Sequence, residues 1–319
     1  MQTNSHSNKI SPPPPSSERW LVVGAGAMGL LWFCKLYKQG YQPVLLHRHA
    51  TPLTHIEVME ADQTQRIPLQ ETTLVELEQS NQNFTHVLLC TKAFDLVQAY
   101  QQIATLVSPC AHILCLCNGM GAQSELLKQL KYDHQLFVGS TSEGVYKEAR
   151  NRIQKKGTGN TFFGSLSNVN ATPSLAIQMY CVDNIESKLF AKLAVNATIN
   201  PLTALFLVKN GDLLNPPLSA IFYSCCAEVD SILHSINKEM GPYQAVTEDV
   251  AKQTQNNRSS MLQDVTYNRK TEIDFISGYL VQKAKKLNVA APIQEHLVQF
   301  FSGKVTRETA QEWLLRRYS

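Results

Sequence analysis

A strand–turn–helix pattern near the start of the chain constrains the fold more than any other feature. The apolar run Trp20–Val23 leads directly into the glycine-rich segment GAGAMG at residues 24–29. A helical pattern follows from Leu30 to Gln39, and a second apolar run at Val44–Leu46 completes a strand–helix–strand unit. The sequence therefore predicts a parallel α/β sheet that begins with this unit.

The glycines of this segment have distinct physical roles in such a unit. Gly24 permits a tight turn, Gly26 lets the backbone approach a pyrophosphate, and Gly29 lets helix and strand pack closely. The free amides and partial positive charge of the helix N-terminus, at Ala27 and Met28, would hold the phosphates. The pattern predicts a dinucleotide-binding loop, and the alternative is an ordinary strand-to-helix turn.

The residues after the second strand indicate which dinucleotide is bound. NAD and FAD sites usually place a carboxylate there, against the ribose hydroxyls, whereas this chain has His47, Arg48 and His49. Because arginine offers a planar fork of donors to phosphate, Arg48 suits the 2′-phosphate of NADP. The sequence therefore favours NADP(H), unless Arg48 is only a solvated surface residue.

Apolar runs continue to alternate with helical patterns to about residue 180. The runs at 86–90, 111–117 and 135–139 predict further strands, and Ile153–Leu166 predicts antiparallel strands that extend the sheet. Lys92 and Asn118 come immediately after two of these strands, at the sheet edge where ligands bind in doubly wound folds. We expect both to contact the cofactor, although either could be a loop residue without a role.

Composition limits the remaining possibilities. The 319 residues carry 29 basic and 26 acidic side chains, a balance that gives no indication of nucleic acid or an anionic membrane as a partner. The apolar runs are shorter than a bilayer span, and residues 1–19 are polar with four consecutive prolines, so we expect a disordered tail on a cytoplasmic protein. The eight cysteines and nine histidines lack zinc-site spacing, so we expect reduced cysteines and no metal.

After residue 183 the pattern becomes helical. Asp183 and Glu186 resemble a capping box that opens a long helix, and the predicted helices cover about 186–209, 217–239, 242–267, 271–287 and 306–317. The sequence thus predicts an N-terminal α/β domain with a Rossmann-type doubly wound sheet at 20–183, followed by a C-terminal all-helical domain at 184–319.

The first of these helices contains an unusual row of polar residues. Lys192, Asn196 and Asn200 recur every four residues in an apolar sequence, so they stack along one helical face. Since lysine is rarely buried without a partner, the row either lines a ligand site or reaches solvent from a buried helix. Pro201 cannot bond the carbonyl of Ala197, so we expect a kink and a free acceptor there, which favours the ligand site.

Two other polar residues of the helical half are ambiguous. Ser260 lies in an amphipathic helical pattern, where a serine commonly bonds back to a carbonyl of its own helix. Glu272 follows Thr271, a plausible N-cap, and would then be a first-turn acid that compensates the helix dipole. Pattern alone favours these structural interpretations for both.

Several segments together resemble the ketopantoate reductase (2-dehydropantoate 2-reductase) family. They are GAGAMG at 24–29, CTKAFD at 90–95, CNGMG at 117–121, KLAVNATINPLTAL at 192–205, SSMLQD at 259–264 and TEID at 271–274. The match runs in order over most of residues 20–292, and the segments of the helical half are more distinctive than the glycine loop. The loop Ser140–Tyr146 departs from the family pattern at Glu143, and the chain ends also match poorly.

The resemblance implies NADPH-dependent reduction of ketopantoate to pantoate, a step toward pantothenate and coenzyme A. Lys192 would be the general acid, and Glu272 would contact the substrate hydroxyl or support the lysine. Asn196, Asn200 and Ser260 would bind the substrate. The cofactor would be held by Gly24, Gly26, Gly29, Arg48, Lys92 and Asn118.

The residues also suggest the chemistry directly, because a ketone needs a hydride at carbon and a proton at oxygen. Lys192 can supply the proton; burial would lower its pKa and Glu272 would raise it, and sequence does not decide between them. Alternatives are a reductase of another branched 2-oxo acid, a non-catalytic NADP-binding sensor, or a purely structural helical domain. The oligomer, monomer or homodimer, stays open.

Overall fold

The structure, a computed structural model, describes residues 17–47, 53–61, 63–80, 82–166 and 179–319. The expected disordered tail at 1–19 lies outside these residues except for its last three. The chain forms two compact units. Unit 1 contains the described residues up to Thr91 together with Gln98–Leu116 and Gln129–Asp183. Unit 2 contains Lys92–Val97, Cys117–Lys128 and Asn184–Ser319.

The strands all lie in unit 1. In chain order they are β1 (Trp20–Val23), β2 (Val44–Leu46), β3 (His55–Glu60), β4 (Gln63–Pro68), β5 (Glu71–Thr72), β6 (Phe84–Leu89), β7 (Val107–Cys115), β8 (Gln135–Thr141), β9 (Gly144–Ala149), β10 (Arg152–Gly157), β11 (Thr161–Ser165) and β12 (Tyr180–Cys181).

The main sheet of unit 1 has eight strands in the order β12-β11-β8-β7-β6-β1-β2-β5. The run from β8 to β5 is parallel throughout, and the chain moves outward from β1 in one direction before it crosses to β6 and moves outward in the other. Strand order therefore reverses between β1 and β6, which is the switch point where doubly wound sheets bind ligands. The predicted Rossmann-type sheet is confirmed.

A second sheet of four strands, in the order β4-β3-β10-β9, was not predicted. We expected residues 153–166 to extend the main sheet, and β11 does so by pairing antiparallel with β8. Strand β10 instead pairs with β3 and β9 in the second sheet, so this part of the prediction is wrong. The reason is that Ile153 is buried against strand β3, a partner that the local sequence pattern does not reveal.

The helices have the following bounds: α1 (Ala27–Lys38), α2 (Leu74–Gln79), α3 (Leu96–Ile103), α4 (Ala122–Lys128), α5 (Ile185–Phe206), α6 (Leu218–Ile236), α7 (Gln244–Gln253), α8 (Ser260–Thr266), α9 (Ser277–Leu287), α10 (Pro292–Phe301) and α11 (Arg307–Tyr318). From α5 onward unit 2 is all-helical, as predicted.

Helix α5 is the core of unit 2 and packs against α6, α7 and α8. Its N-cap is Asn184, whose side chain accepts from the Ser187 amide, so the capping box expected at Asp183 is wrong by one residue. By length and composition α5 is the one described helix that could cross a membrane, contrary to the expectation that every apolar run is too short. Most of that stretch is buried inside the protein, as in a core helix.

The later helices differ from the predicted spans in three places. The helix predicted at 271–287 begins at Ser277, after a 3-10 turn at Ile273–Phe275. The predicted helix at 242–267 is two helices, because the segment between α7 and α8 bonds instead to the turn at Asn210–Leu214 and Ser259 caps a new helix. Helix α10 was missed. Its first turn contains Pro292, and the Glu228 carboxylate of α6 accepts from the amides of Ile293 and Gln294.

Candidate active site

Helix α5 presents the predicted polar row at its middle. Lys192 and Asn196 are partly exposed, whereas Asn200 is buried, so the row runs from an accessible surface into the core of unit 2. The carbonyl of Ala197, freed by Pro201, accepts from Gln294 Nε2 at 3.3 Å. The proline therefore favours a contact with α10, and our inference that its free acceptor indicated a ligand site is wrong.

Lys192 carries an ammonium group with no hydrogen bond or ion pair to any described residue. Burial lowers its pKa, and the electrostatic effects of Glu272 and Cys117 oppose this only in part. Burial therefore outweighs the carboxylate, which settles a question that the sequence left open. A lysine with a lowered pKa and no fixed partner is suited to donate a proton.

Glu272 is a buried carboxylate, 4% exposed, that three donors hold in place. Its Oε1 accepts from the Ala93 amide at 3.1 Å, and its Oε2 accepts from Asn118 Nδ2 at 3.1 Å and from Lys92 Nζ at 3.2 Å. It precedes a short 3-10 turn at Ile273–Phe275 rather than opening an α-helix. The expectation of a first-turn acid that compensates the dipole of an α-helix is therefore wrong.

Lys92 bridges Glu272 to a second carboxylate that we did not predict. Its Nζ lies 2.7 Å from Asp264 Oδ2, and Asp264 also pairs with Arg269 at 3.0 Å. Burial alone would lower the pKa of Lys92, but Glu272 and Asp264 together raise it. Asp264 ends the SSMLQD segment, one helical turn after Ser260, and that i, i+4 spacing is the signal that could have identified it.

The turn at 118–121 is fixed against the segment that carries Glu272. Gly119 has φ +74°, and a Cβ there would lie only 2.4 Å from the Phe275 carbonyl oxygen. The Met120 amide donates to the same oxygen at 2.8 Å. Because only glycine fits this close approach, Gly119 determines where Asn118 meets Glu272.

Two neighbouring serines at the start of α8 have different surroundings. Ser259 is buried, caps α8 through the Leu262 amide at 3.1 Å, and lies 2.7 Å from Thr203 Oγ1 of α5. Ser260 is exposed at the first residue of the helix. The bond back to a helix carbonyl that we expected of Ser260 is not formed, because Ser260 is the first residue of α8 and no turn of the helix precedes it, and its hydroxyl is accessible for a ligand.

Unit 2 therefore brings together Lys192, Glu272, Lys92 and Asn118 from four separate parts of the sequence. With Asp264 and Arg269, this cluster contains three cations and two carboxylates. The remaining positive charge suits an anionic substrate. No three His, Cys, Asp or Glu side chains in the described ranges converge as metal ligands, and none of the eight cysteines, all of them in those ranges, forms a disulfide.

The glycine loop of unit 1 has the geometry that a dinucleotide requires. Gly24 has φ +107° and contacts the end of β6, where a Cβ would lie 2.9 Å from the Cys90 carbonyl oxygen. A Cβ on Gly29 would lie 1.8 Å from the Gly24 carbonyl oxygen. At Gly26 it would meet nothing closer than 4.0 Å, so the backbone there is open to a ligand. The residues present thus fit a pyrophosphate.

Helix α1 begins at Ala27 and Met28, with Gly26 as an N-cap that lacks a side-chain hydrogen bond and no acid in its first turn. This leaves a positive helix end at the loop. Arg48 lies outside the described residues. In the loop Ser140–Tyr146, which departs from the family pattern, Glu143 forms an ion pair with Lys35 of α1.

Comparison with known proteins agrees with these features. The family models described as "Ketopantoate reductase PanE/ApbA" and "Ketopantoate reductase PanE/ApbA C terminal" match residues 20–168 and 184–305. A 2-dehydropantoate 2-reductase of Vibrio cholerae is 30% identical over 289 residues, covering 88% of this chain and 95% of the relative.

Solved structures with the same fold include a probable 2-dehydropantoate 2-reductase from Bacillus subtilis, at a TM-score of 0.71 and 27% identity. It covers 92% of this chain and 99% of its own. A D-mandelate dehydrogenase solved with NADH and anilino(oxo)acetate has a TM-score of 0.81 at 22% identity, with the same coverage. From the two family models and the long curated match, we conclude that this chain belongs to the ketopantoate reductase family of oxidoreductases.

Proposed function

We propose that this protein reduces 2-dehydropantoate (ketopantoate) to pantoate with NADPH, a step toward pantothenate and coenzyme A. The observation that carries the proposal is a Lys192 ammonium that has no fixed partner and a lowered pKa, together with a Glu272 carboxylate that three donors hold in place and whose charge acts on that ammonium. The names of the curated relatives support the substrate. We expect the enzyme to act in the cytoplasm on this small molecule, as a monomer or homodimer.

The dinucleotide, when bound, supplies the hydride that adds to the carbonyl carbon. Gly24, Gly26 and Gly29, with the amides at Ala27 and Met28, would hold its phosphates. Arg48 would bind the 2′-phosphate of NADPH. Lys92 and Asn118 are also proposed to contact the cofactor, with the same side chains that donate hydrogen bonds to Glu272.

Lys192 donates the proton. As negative charge develops on the carbonyl oxygen, the ammonium first stabilises it and then transfers a proton, a step that burial favours by lowering the pKa of the lysine. Glu272 orients the substrate hydroxyl or the lysine, because its own oxygens are fixed by Lys92, Ala93 and Asn118.

Three polar side chains bind the rest of the substrate in this proposal, of which Asn196 and Ser260 are accessible and Asn200 is buried. Asn196 and Asn200 lie one and two turns beyond Lys192 on α5, and Ser260 begins α8. Amide and hydroxyl groups both donate and accept, so they suit a carboxylate and a hydroxymethyl group. The net positive charge of the cluster adds attraction for the substrate carboxylate.

The test is to follow NADPH absorbance with 2-dehydropantoate, then with NADH in place of NADPH and with a panel of branched 2-oxo acids. The proposal predicts the highest kcat/KM for 2-dehydropantoate with NADPH. A higher value for another 2-oxo acid would assign the alternative substrate. Tight NADPH binding without oxidation by any 2-oxo acid would indicate a sensor and overturn the enzymatic proposal.

A further inference from the structure

Strand β9 runs alongside helix α1 and attaches to both ends of it. At its start, Glu143 forms an ion pair with Lys35 in the second half of the helix. Farther along, Lys147 Nζ donates to the Ala25 carbonyl oxygen at 2.5 Å, inside the glycine loop. The strand therefore delivers an ammonium group to the loop from 122 residues away in sequence.

This location is unfavourable for a cation on its own. The positive end of α1 adjoins the loop, and its first turn has no acidic residue. Lys147 is partly buried; burial and then Arg150 lower its pKa, whereas Glu71 has the opposite effect. A phosphate bound at the glycine loop would therefore be stabilised both by the helix end and by the Lys147 ammonium fixed to Ala25.

Glu71 indicates which part of the loop Lys147 faces. In β5 it pairs with Leu45 of β2, and its Oε2 accepts from the Leu53 amide at 2.6 Å and lies 3.5 Å from His47 Nε2. The carboxylate is thus at the carboxyl end of β2, where doubly wound folds bind the adenosine ribose. Its side chain is 3% exposed; Oε2 is engaged by the chain, and Oε1 is buried without a hydrogen-bond partner among the described residues, so burial keeps the carboxylate from ribose hydroxyls.

We propose that Lys147, in addition to Arg48, is a cofactor-binding residue that contacts the 2′-phosphate of NADPH and so contributes to the preference for NADPH over NADH. The inference rests on the proposed function and deepens it. Of the three N–H groups of the ammonium, the Ala25 carbonyl uses one, which leaves two for phosphate oxygens. The ammonium is fixed at Ala25 of the glycine loop, and Glu71, at the end of β2, is close enough to act on its charge, which favours the ribose side of the loop.

The experiment measures dissociation constants by calorimetry for NADPH, NADH, 2′,5′-ADP and 5′-AMP. Lys147→Ala should weaken NADPH and 2′,5′-ADP by about 10- to 100-fold, the usual size of a charge-assisted hydrogen bond, with NADH and 5′-AMP within about twofold. Lys156→Ala is the matched control, because Lys156 is an exposed lysine on the neighbouring strand β10. It should leave all four constants unchanged.

Two further variants distinguish the effect of the Lys147 charge from the effect of its hydrogen bond to the Ala25 carbonyl. Lys147→Gln keeps a donor for the Ala25 carbonyl but removes the charge, so it should lose NADPH affinity while its thermal midpoint without ligand stays at that of the wild type. Lys147→Arg should retain the preference for NADPH.

An unchanged NADPH constant in Lys147→Ala or Lys147→Gln would overturn the inference. An equal loss for NADH would overturn it as well, because the contact would then be with the bridging phosphates. Since these are binding constants, they remain informative if the protein reduces no 2-oxo acid. A wild type that binds neither NADPH nor 2′,5′-ADP would refute the 2′-phosphate assignment outright.

Discussion

Gly119 offers the most specific test of how the site is assembled. In Gly119→Ala, the new Cβ would lie 2.4 Å from the Phe275 carbonyl oxygen and 2.8 Å from Phe275 Cβ. Ordinary contact begins at 3.4 Å, so the segment that carries Glu272 must move by about 1 Å. The residue must also keep φ +74°, which costs a non-glycine residue about 1–2 kcal/mol.

Gly303→Ala is a matched control for the backbone strain. Gly303 has φ +75°, almost the same value, but a Cβ there meets nothing within 4 Å. We expect Gly303→Ala to lower the thermal midpoint by about 2–6 °C and to leave kcat unchanged. Gly119→Ala should lower the midpoint by clearly more, because it adds the steric displacement to the same strain.

The assay compares thermal midpoints and steady-state kinetics of the two variants. A shift of about 1 Å in a positioned group costs up to about 100-fold in rate, so Gly119→Ala should lose about 10- to 100-fold in kcat with 2-dehydropantoate. Equal midpoint shifts in both variants, with full turnover in Gly119→Ala, would refute the reasoning that this turn holds Glu272 in place.

Two other predictions concern carboxylates. Burial raises the pKa of Glu228 to about 6 from 4.5, so its contribution to stability is present below pH 4.5 and is lost as the pH rises through 6. The loss is about 2 kcal/mol, and Glu228→Gln should remove this part of the pH dependence of the thermal midpoint, whereas an unchanged profile would contradict it. Glu272→Gln should reduce kcat at least about tenfold and move the alkaline limb of the pH–rate profile to lower pH, because Glu272 raises the pKa of Lys192. A limb that stays in place would mean that Glu272 does not act on the proton donor.

The local sequence was sufficient to predict an element when all the residues that define it lie in one short segment. The strand, glycine turn and helix at 20–38 have their apolar and glycine residues within one unit, and the structure gives a steric reason for Gly24 and Gly29 there. The polar row on α5 was likewise visible, because its spacing is a property of one helix. These features needed no knowledge of distant contacts.

The sequence was insufficient to predict a residue's role when residues far away in sequence form its surroundings. Glu272 resembles an ordinary first-turn acid, and only its donors at Lys92, Ala93 and Asn118, 154 to 180 residues earlier, make it a buried site residue. Strand β4 was missed because its outer positions are exposed and polar, so it lacks apolar alternation. Helix α10 was missed although Pro292, a favoured first residue of a helix, was a readable signal.

Whether Lys192 donates the proton is decided by comparing the turnover of Lys192→Ala with that of Lys188→Ala. Lys188 is an exposed lysine one turn earlier on α5, so its variant removes the same charge from the same helix. We expect kcat with 2-dehydropantoate to fall at least about 100-fold in Lys192→Ala only, while both variants bind NADPH as the wild type does. Turnover in Lys192→Ala close to that of Lys188→Ala would contradict it.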